Sequence, residues 1–467
     1  MELFPMPFSS RLSTFLLIIS LALTLSLHCT AGGAKPEEEK VVLTLSQLIE
    51  MAISRSPDIR GVESEIASAK SDLAQARAAY YPQIETTAVV GPVEDAKEPL
   101  VANGRILDPS PSLGLSSIGI FGRINLIATQ PIYTFGKISN REDAASRGIK
   151  AREFQMDEQK ARIVLRVKEL YYALILARSG METADEARDF FDEAGRRISR
   201  LLKLGSPNVK ETDLYKVDSY RADSLRFKAE AEKGFRISYF VMKSLIQLPP
   251  DVEFELAEKA LPTRMEEPAA LDKYIETASS ERPEFKQLAE ALAAQDYRIK
   301  AAVSDMYPSF FAAVQGSLAG APGREVLHNR YIPDDFNHAY AGVVAGAKWS
   351  LDFGIGKARV DKMRAEYNKL LNTRASAKMN IPIQVAQSYQ EHLEARKAAA
   401  SYQTAAIASR KWVVTAMADF DMGVETADEM LRAIEKYGQN QSKYIEALFN
   451  YNLSRARLEY AAGMKTW

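Results

Sequence analysis

Gly354-Ile355-Gly356-Lys357-Ala358-Arg359 joins a strand-like stretch to a helix-like one, a setting in which glycines can let backbone amides cradle a phosphate. The third glycine and the surrounding βαβ unit are missing, so the segment reads as a strand-to-helix hinge. The four histidines, His28, His328, His338 and His392, show no metal-ligand spacing, and His328 and His338 flank one hairpin loop as a solvated pair. No serine elbow or Walker loop occurs, and the single cysteine, Cys29, lies just after an apolar run near the start. The chain is therefore read as a non-enzyme, with no catalytic, cofactor or metal residue. The groups left for function are carboxylates beside glycines: Asp213 after Gly205, and Asp428 and Glu429 after Gly423.

The 467 residues are 46% hydrophobic and 26% charged with a formal net charge of −1, which does not suggest a nucleic-acid binder. After Arg11, an apolar or hydroxyl run from Phe15 to Leu27 gives way to small residues at 31–34, the pattern of a secretory signal peptide over 1–31. Cleavage after Ala31 removes Cys29; the alternative is that Cys29 is a lipidated first residue, against which His28 is a poor preceding residue. Beyond the leader no stretch approaches the roughly 20 apolar residues of a spanning helix, so any membrane span must be a β-barrel.

The chain is built as a repeat. Ser56-Pro57-Asp58-Ile59 is followed by Tyr81-Pro82, and Arg282-Pro283-Glu284-Phe285 by Tyr307-Pro308 at the same spacing. Between these marks the composition is helical, with Pro57 and Pro283 at tolerated first-turn positions and Pro82 and Pro308 as stops. After each Tyr-Pro the period switches to two. Val343, Ala345, Ala347, Trp349 and Leu351 alternate with Gly342, Val344, Gly346, Lys348 and Ser350, and Ile118, Ile120, Ile124, Leu126 and Ile132 with Phe121, Arg123, Asn125 and Thr129. Strands are expected at about 83–92, 118–135, 309–319 and 339–353, with loops near 93–117 and 320–338.

Each half then passes a Phe-Gly turn and runs through a long helical stretch to Gly205 or Gly423. Helices are expected at about 138–204 and 209–247, then 357–422 and 426–461; at 1.5 Å per residue the longest extend roughly 100 Å and must lie in a coiled bundle. Ala184, Ala187, Phe191, Ala194, Ile198 and Leu201 form a 3-4 seam, and Ile434, Tyr437, Gln441, Tyr444, Leu448, Tyr451, Arg455 and Leu458 another. The repeats span 43–247 and 271–461, joined by a proline-rich linker at 248–270. Four strands cannot close a bilayer-spanning barrel, whereas three chains supply 12, an even number in the range of outer-membrane barrels. A small soluble antiparallel sheet is the alternative from periodicity alone.

Leu45 to Pro57, Leu271 to Pro283, the two Tyr-Pro marks, Leu204-Gly205 and Met422-Gly423, in this duplicated order, resemble the TolC-like outer-membrane efflux protein family over roughly residues 43–461. The resemblance implies a mainly α fold with a β-barrel part: a homotrimer whose long antiparallel coiled-coil helices form an α-barrel tunnel in the periplasm below a shared 12-stranded transmembrane β-barrel in the Gram-negative outer membrane. It also implies the role of exit duct in a tripartite efflux or type I secretion system, with a periplasmic adaptor (membrane fusion) protein and an inner-membrane transporter as partners.

By the same resemblance, Glu429 occupies an acidic entrance position with Asp428 beside it, Arg432 stands where a second acid often occurs, and Thr212-Asp213 matches a tip motif displaced by an extension containing Pro207. A threefold ring of Glu429 would concentrate cations; the plainer reading is a helix-start acid favoured by the dipole. Gly205 and Gly423 fit left-handed helix ends, with Leu202, Leu204, Phe420 and Met422 expected exposed for adaptor docking. Tyr133 and Trp349 fit an interfacial aromatic belt, which argues against the competing reading of a structural or adhesive periplasmic coiled-coil protein. The final residue, Trp467, is an aromatic of the kind that often ends barrel proteins.

Overall fold

The computed structural model describes residues 40–95, 101–102, 105–106, 118–324, 326–328 and 331–465. The expected leader with His28 and Cys29, most of the first hairpin loop and Trp467 lie outside the described residues.

In chain order the first half holds β1 (Lys40–Leu43), α1 (Leu45–Arg55), α2 (Pro57–Ala78), β2 (Gln83–Glu94), the two-residue strands β3 (Val101–Ala102) and β4 (Arg105–Ile106), and β5 (Ile118–Tyr133). It continues with α3 (Lys137–Lys203) and α4 (Glu211–Leu245). The second half holds β6 (Glu253–Leu256), α5 (Leu271–Glu281), α6 (Pro283–Ser304), β7 (Ser309–Gly320), β8 (His338–Lys348), α7 (Ile355–Asp421) and α8 (Ala427–Ala461). The helices of the two halves match in length, 11, 22, 67 and 35 residues in each. The fold is mainly helical with a small β part.

Local chemistry sets these boundaries. Thr44 and Gln47 form a capping box at the start of α1, and Ser56 caps α2, whose first residue is Pro57. Phe135 and Gly136, then Phe353 and Gly354, take successive positive φ angles that turn each sheet strand into its long helix. β8 ends at Lys348, short of the expected 353, because its partner β7 begins at Ser309, opposite Lys348, and the preceding Pro308 has no N–H to extend the ladder. The alternation of Trp349 and Leu351 therefore continues in sequence but not in hydrogen bonding.

Helix α3 packs along α4, and α7 along α8, while α3 also contacts α6 and α8. Ala184, Ala187, Phe191, Ala194 and Ile198 are buried along one stripe of α3. Near the glycine turns, Phe191, Ala194 and Ile198 join Val413, Met417 and Phe420 of α7 and Met430, Leu431, Ile434 and Tyr437 of α8 in one core cluster. Along the second seam Leu448, Tyr451 and Leu458 are buried, whereas Arg455 turns outward to Glu459 and Glu266. Pro382 sits inside α7 without ending it, flanked by buried Ile381 and Val385.

Four strands form an antiparallel sheet in the order β2-β5-β7-β8, so each half gives one hairpin and the halves meet at β5 and β7. The linker contains β6, which the proline-rich sequence did not suggest. It pairs with β1 as a separate two-stranded unit carrying the Lys40–Glu255 ion pair at 3.5 Å. No helix among the described residues is long and apolar enough to cross a membrane.

Candidate functional site

Strand alternation gives the sheet two unlike faces. Ile84 and Val90 of β2, Ile120, Ile124 and Leu126 of β5, Val314 and Leu318 of β7 and Val343 of β8 share one face through the register pairs Ala88↔Ile124, Ile124↔Leu318 and Val314↔Val343, and all are exposed. The opposite face carries Glu85 and Thr87, Arg123 and Asn125, Gln315 and Ser317, and His338 and Tyr340. Ser317 Oγ lies 2.7 Å from both Asn125 Oδ1 and His338 Nε2. An exposed apolar face of this extent is the inverse of a soluble sheet, in which the apolar side is the covered one. Among the described residues the outer edges of β2 and β8 have no strand partner.

Tyr133 and Trp349 lie at the end of the sheet nearest the long helices, and both are exposed. Trp349 Nε1 donates to the Met306 carbonyl at 2.9 Å, and Tyr133 meets Phe135 edge to face at 4.7 Å. Each ring is thus held by one specific contact while more than half of its surface stays exposed.

At the opposite end of the helices the two turns repeat one construction. Gly205 (φ +72°) and Gly423 (φ +74°) close Schellman motifs: Ser206 N donates to Leu201 O and Gly205 N to Leu202 O, while Val424 N donates to Asp419 O and Gly423 N to Phe420 O. Leu204 is 75% and Met422 68% exposed. The expected exposure of Phe420 is corrected: it is 1% exposed, because it continues the Val413, Met417 stripe into the core. Leu202 likewise packs partly against that core, and Val424, not anticipated from the sequence, is exposed instead.

Three of the four expected entrance residues come together. Asp213 accepts from the Lys210 backbone at 2.9 Å at the start of α4, and Lys216 bridges it, at 3.6 Å, to Asp428, at 2.7 Å. Asp428 also pairs with Arg432 one turn along α8. Lys216 and Arg432 hold the Asp428 carboxyl below the usual carboxylate range, and Asp428 raises the Lys216 ammonium in turn. Two acids and two bases make this cluster neutral. Glu429 stands apart: its Oε1 accepts from Trp412 Nε1 at 3.2 Å, and its N–H is capped by Thr426. A second link, Arg197 of α3 to Asp421 of α7, with Arg197 also on the Met417 carbonyl at 3.3 Å, ties the other helix pair. The links of Lys216 to Asp428, Arg197 to Asp421 and Trp412 to Glu429 cross helix interfaces and carry no local sequence signal. Among the described residues no cluster of His, Cys, Asp and Glu could hold a metal ion.

The profile of the outer membrane efflux protein family matches residues 48–212 and 274–464. No curated protein sequence matches the chain. Among solved structures the fold is similar to the CusC channel, at TM-score 0.72 and 15% identity, with 94% of this chain and 96% of that one covered. It is also similar to the open state of the Neisseria gonorrhoeae MtrE outer membrane channel, at TM-score 0.71, 15% identity and 92% and 93% coverage. A third, the outer-membrane channel OprN, gives TM-score 0.70, 15% identity and 90% coverage of each chain.

Proposed function

The chain belongs to the outer membrane efflux protein family, and from that premise we propose that three copies form an exit duct, with a shared 12-stranded barrel in the outer membrane and a helical tunnel in the periplasm. The observation that carries this reading is the open sheet with one exposed apolar face. Backbone groups cannot be left unpaired in hydrocarbon, so β2 and β8 must find strands on other copies, and four strands from each of three chains close an even-numbered barrel.

The repeat says which surfaces would meet. Within the chain Phe135 stacks on Tyr307 at 5.2 Å and its carbonyl accepts from Ser304 Oγ at 2.8 Å, joining the first half to the second. The equivalents, Phe353 and Tyr81, are both exposed, Phe353 completely. In a ring of copies, Phe353 of one meets Tyr81 of the next and the internal junction is repeated between chains. Heat-modifiable migration of a detergent-resistant trimer from outer-membrane fractions is the expected result, and a water-soluble monomer would overturn the reading. The rival reading, a structural or adhesive coiled-coil protein, has no use for an exposed apolar sheet face, and neither the family match nor the structural neighbours support it.

Tyr133 and Trp349 then form the belt at the inner margin of the barrel. The helical tips are the periplasmic entrance, where Leu204, Met422 and Val424 around Gly205 and Gly423 offer three apolar side chains to a periplasmic adaptor that couples the duct to an inner-membrane transporter. The duct conducts passively, and the transporter supplies energy and selects cargo. The Asp213–Lys216–Asp428–Arg432 cluster and the Arg197–Asp421 pair hold the tip closed. Because that cluster is neutral, any cation-concentrating ring falls to Glu429 alone. Changing both Leu204 and Met422 to Asp is expected to abolish export while the trimer and its membrane location persist; normal export by the double variant would remove the docking assignment.

A further inference from the structure

Between β7 and β8, residues 321–324 and 334–337 lie back over the polar face instead of projecting from the end of the sheet. Arg324, four residues past the end of β7, donates from Nη1 to the Glu94 carbonyl at 2.9 Å, and Glu94 ends β2. Strand order places β5 between β7 and β2, so the Arg324 side chain reaches across β5, a span of roughly 10 Å at the usual strand spacing. Gly119 of β5 and Gly323 lie in contact, and both leave room for the Asp95 side chain: a Cβ built on Gly119 would fall 2.4 Å, and one built on Gly323 1.5 Å, from Asp95 Oδ1.

The side the loop takes is fixed by register. Gly119 and Phe121 share a face with Arg123 and Asn125, the polar face, and Phe336 of the loop meets Phe121 edge to face with centroids 5.3 Å apart. The Arg324 guanidinium sits over the Phe336 ring, 4.1 Å from its centroid. The fold-back is pinned from within. Asp334 accepts from the backbone N–H groups of Leu327, Phe336 and Asn337, each at 2.9 Å, and those bonds, that from Leu327 first, hold its carboxyl below the ordinary range. The Asn337 side chain accepts from Ala321 N at 2.8 Å and donates to the Arg324 carbonyl at 3.3 Å, closing the loop on itself.

We propose that the Phe121–Phe336–Arg324 stack is a size-selecting ring at the outer mouth of the duct, separate from the helical tips at the other end. The proposal rests on the trimeric duct reading, in which the polar face lines the lumen. Loops that cross that face at the end far from the helices then bring three Phe336 side chains toward the axis. An aromatic ring edge and a guanidinium plane form a neutral-to-cationic collar that passes slender or hydrated cargo and restrains bulky cargo.

The test uses the full-length protein in intact cells. Glu85, on the polar face of β2, pairs with Ile127 and lies six residues, about 20 Å, further from the mouth than Gly91, the partner of Phe121. With Glu85→Cys as reporter, polyethylene-glycol maleimides of graded size are added from outside, and labelling is read as a mass shift against the parent chain. Combining the reporter with Phe336→Ala is expected to raise the largest reagent admitted, and Phe336→Trp to lower it, while the detergent-resistant trimer remains. The same size limit in all three chains overturns the ring and leaves the duct standing. Failure of even the smallest maleimide to reach Cys at position 85 in any of them contradicts the lumenal face itself, which is the failure of the underlying reading.

Discussion

The sheet and the helical tip both show apolar side chains to solvent in one copy of the chain, but they do so in different ways. On the sheet the exposed residues are continuous from Val90 through Ile124 and Leu318 to Val343, and the backbone edges beside them are open. At the tip only Leu204, Met422 and Val424 stand out, around Schellman turns whose backbone groups are satisfied, above a core in which Phe420, Met430 and Ile434 are buried. The first surface is unfinished: among the described residues its edge strands have no partner within one copy. The second is a finished surface bearing a small patch, the form suited to a partner that comes and goes.

That contrast is most sharply broken at residues two apart. Phe420→Ala removes a fully buried ring from the tip core and is expected to cost about 3–5 kcal/mol, seen as a lower unfolding temperature of the helical part by circular dichroism. Met422→Ala is expected to stay within about 0.5 kcal/mol and to act on export alone. If the two lose equal stability, the tip is not a finished surface and the comparison fails.

A smaller effect is expected on the sheet, where the comparison lies between faces. Leu126→Arg puts a charge on the apolar side and is expected to cost about 2–4 kcal/mol per copy near the middle of the bilayer, which shows as loss of the detergent-resistant trimer. Gln315→Arg, one strand away on the polar side, is expected to leave trimer yield unchanged and to alter only the ionic selectivity of the channel. Equal losses from both would mean that the apolar side is not the lipid side.

The parts legible in the sequence are those set by period and by punctuation. Alanines 184, 187 and 194 with Phe191 and Ile198 stand at 3-4 spacing, and that spacing alone places them on one buried stripe. The mainly helical class with a four-stranded sheet follows from the switch to period two between the Tyr-Pro and Phe-Gly marks. Phe420 was legible too, since Val413, Met417 and Phe420 continue a helical stripe; its nearness to Gly423 suggested exposure, but the left-handed turn redirects only the residues at and after the cap. The pairing of Lys216 with Asp428 depends on the relative register of α4 and α8, set by packing along their whole lengths, and no local pattern encodes it. The same holds for Trp412 with Glu429 and for the crossing of β5 by Arg324. In β6, four residues between prolines are too few for alternation to be read.

The finest discrimination concerns the tip's charges. Asp428 has its carboxyl depressed by Lys216 and Arg432, so its contribution to the closed tip we propose is present above the ordinary carboxylate value of about 4 and is lost as pH falls through its lower folded value. Below that point Lys216 and Arg432 remain charged and face each other across a neutral acid. The duct is therefore expected to conduct more in planar bilayers as the periplasmic-side pH is lowered through that range. The change in overall stability is small, because the pair faces solvent and salt screens it. Lys216→Ala is expected to raise conductance already at neutral pH and to flatten the acid response, and Asp428→Asn to do the same. An acid response that survives both substitutions would take the proton-sensitive step away from Lys216 and Asp428, with the Arg197–Asp421 pair as the next carboxylate to test.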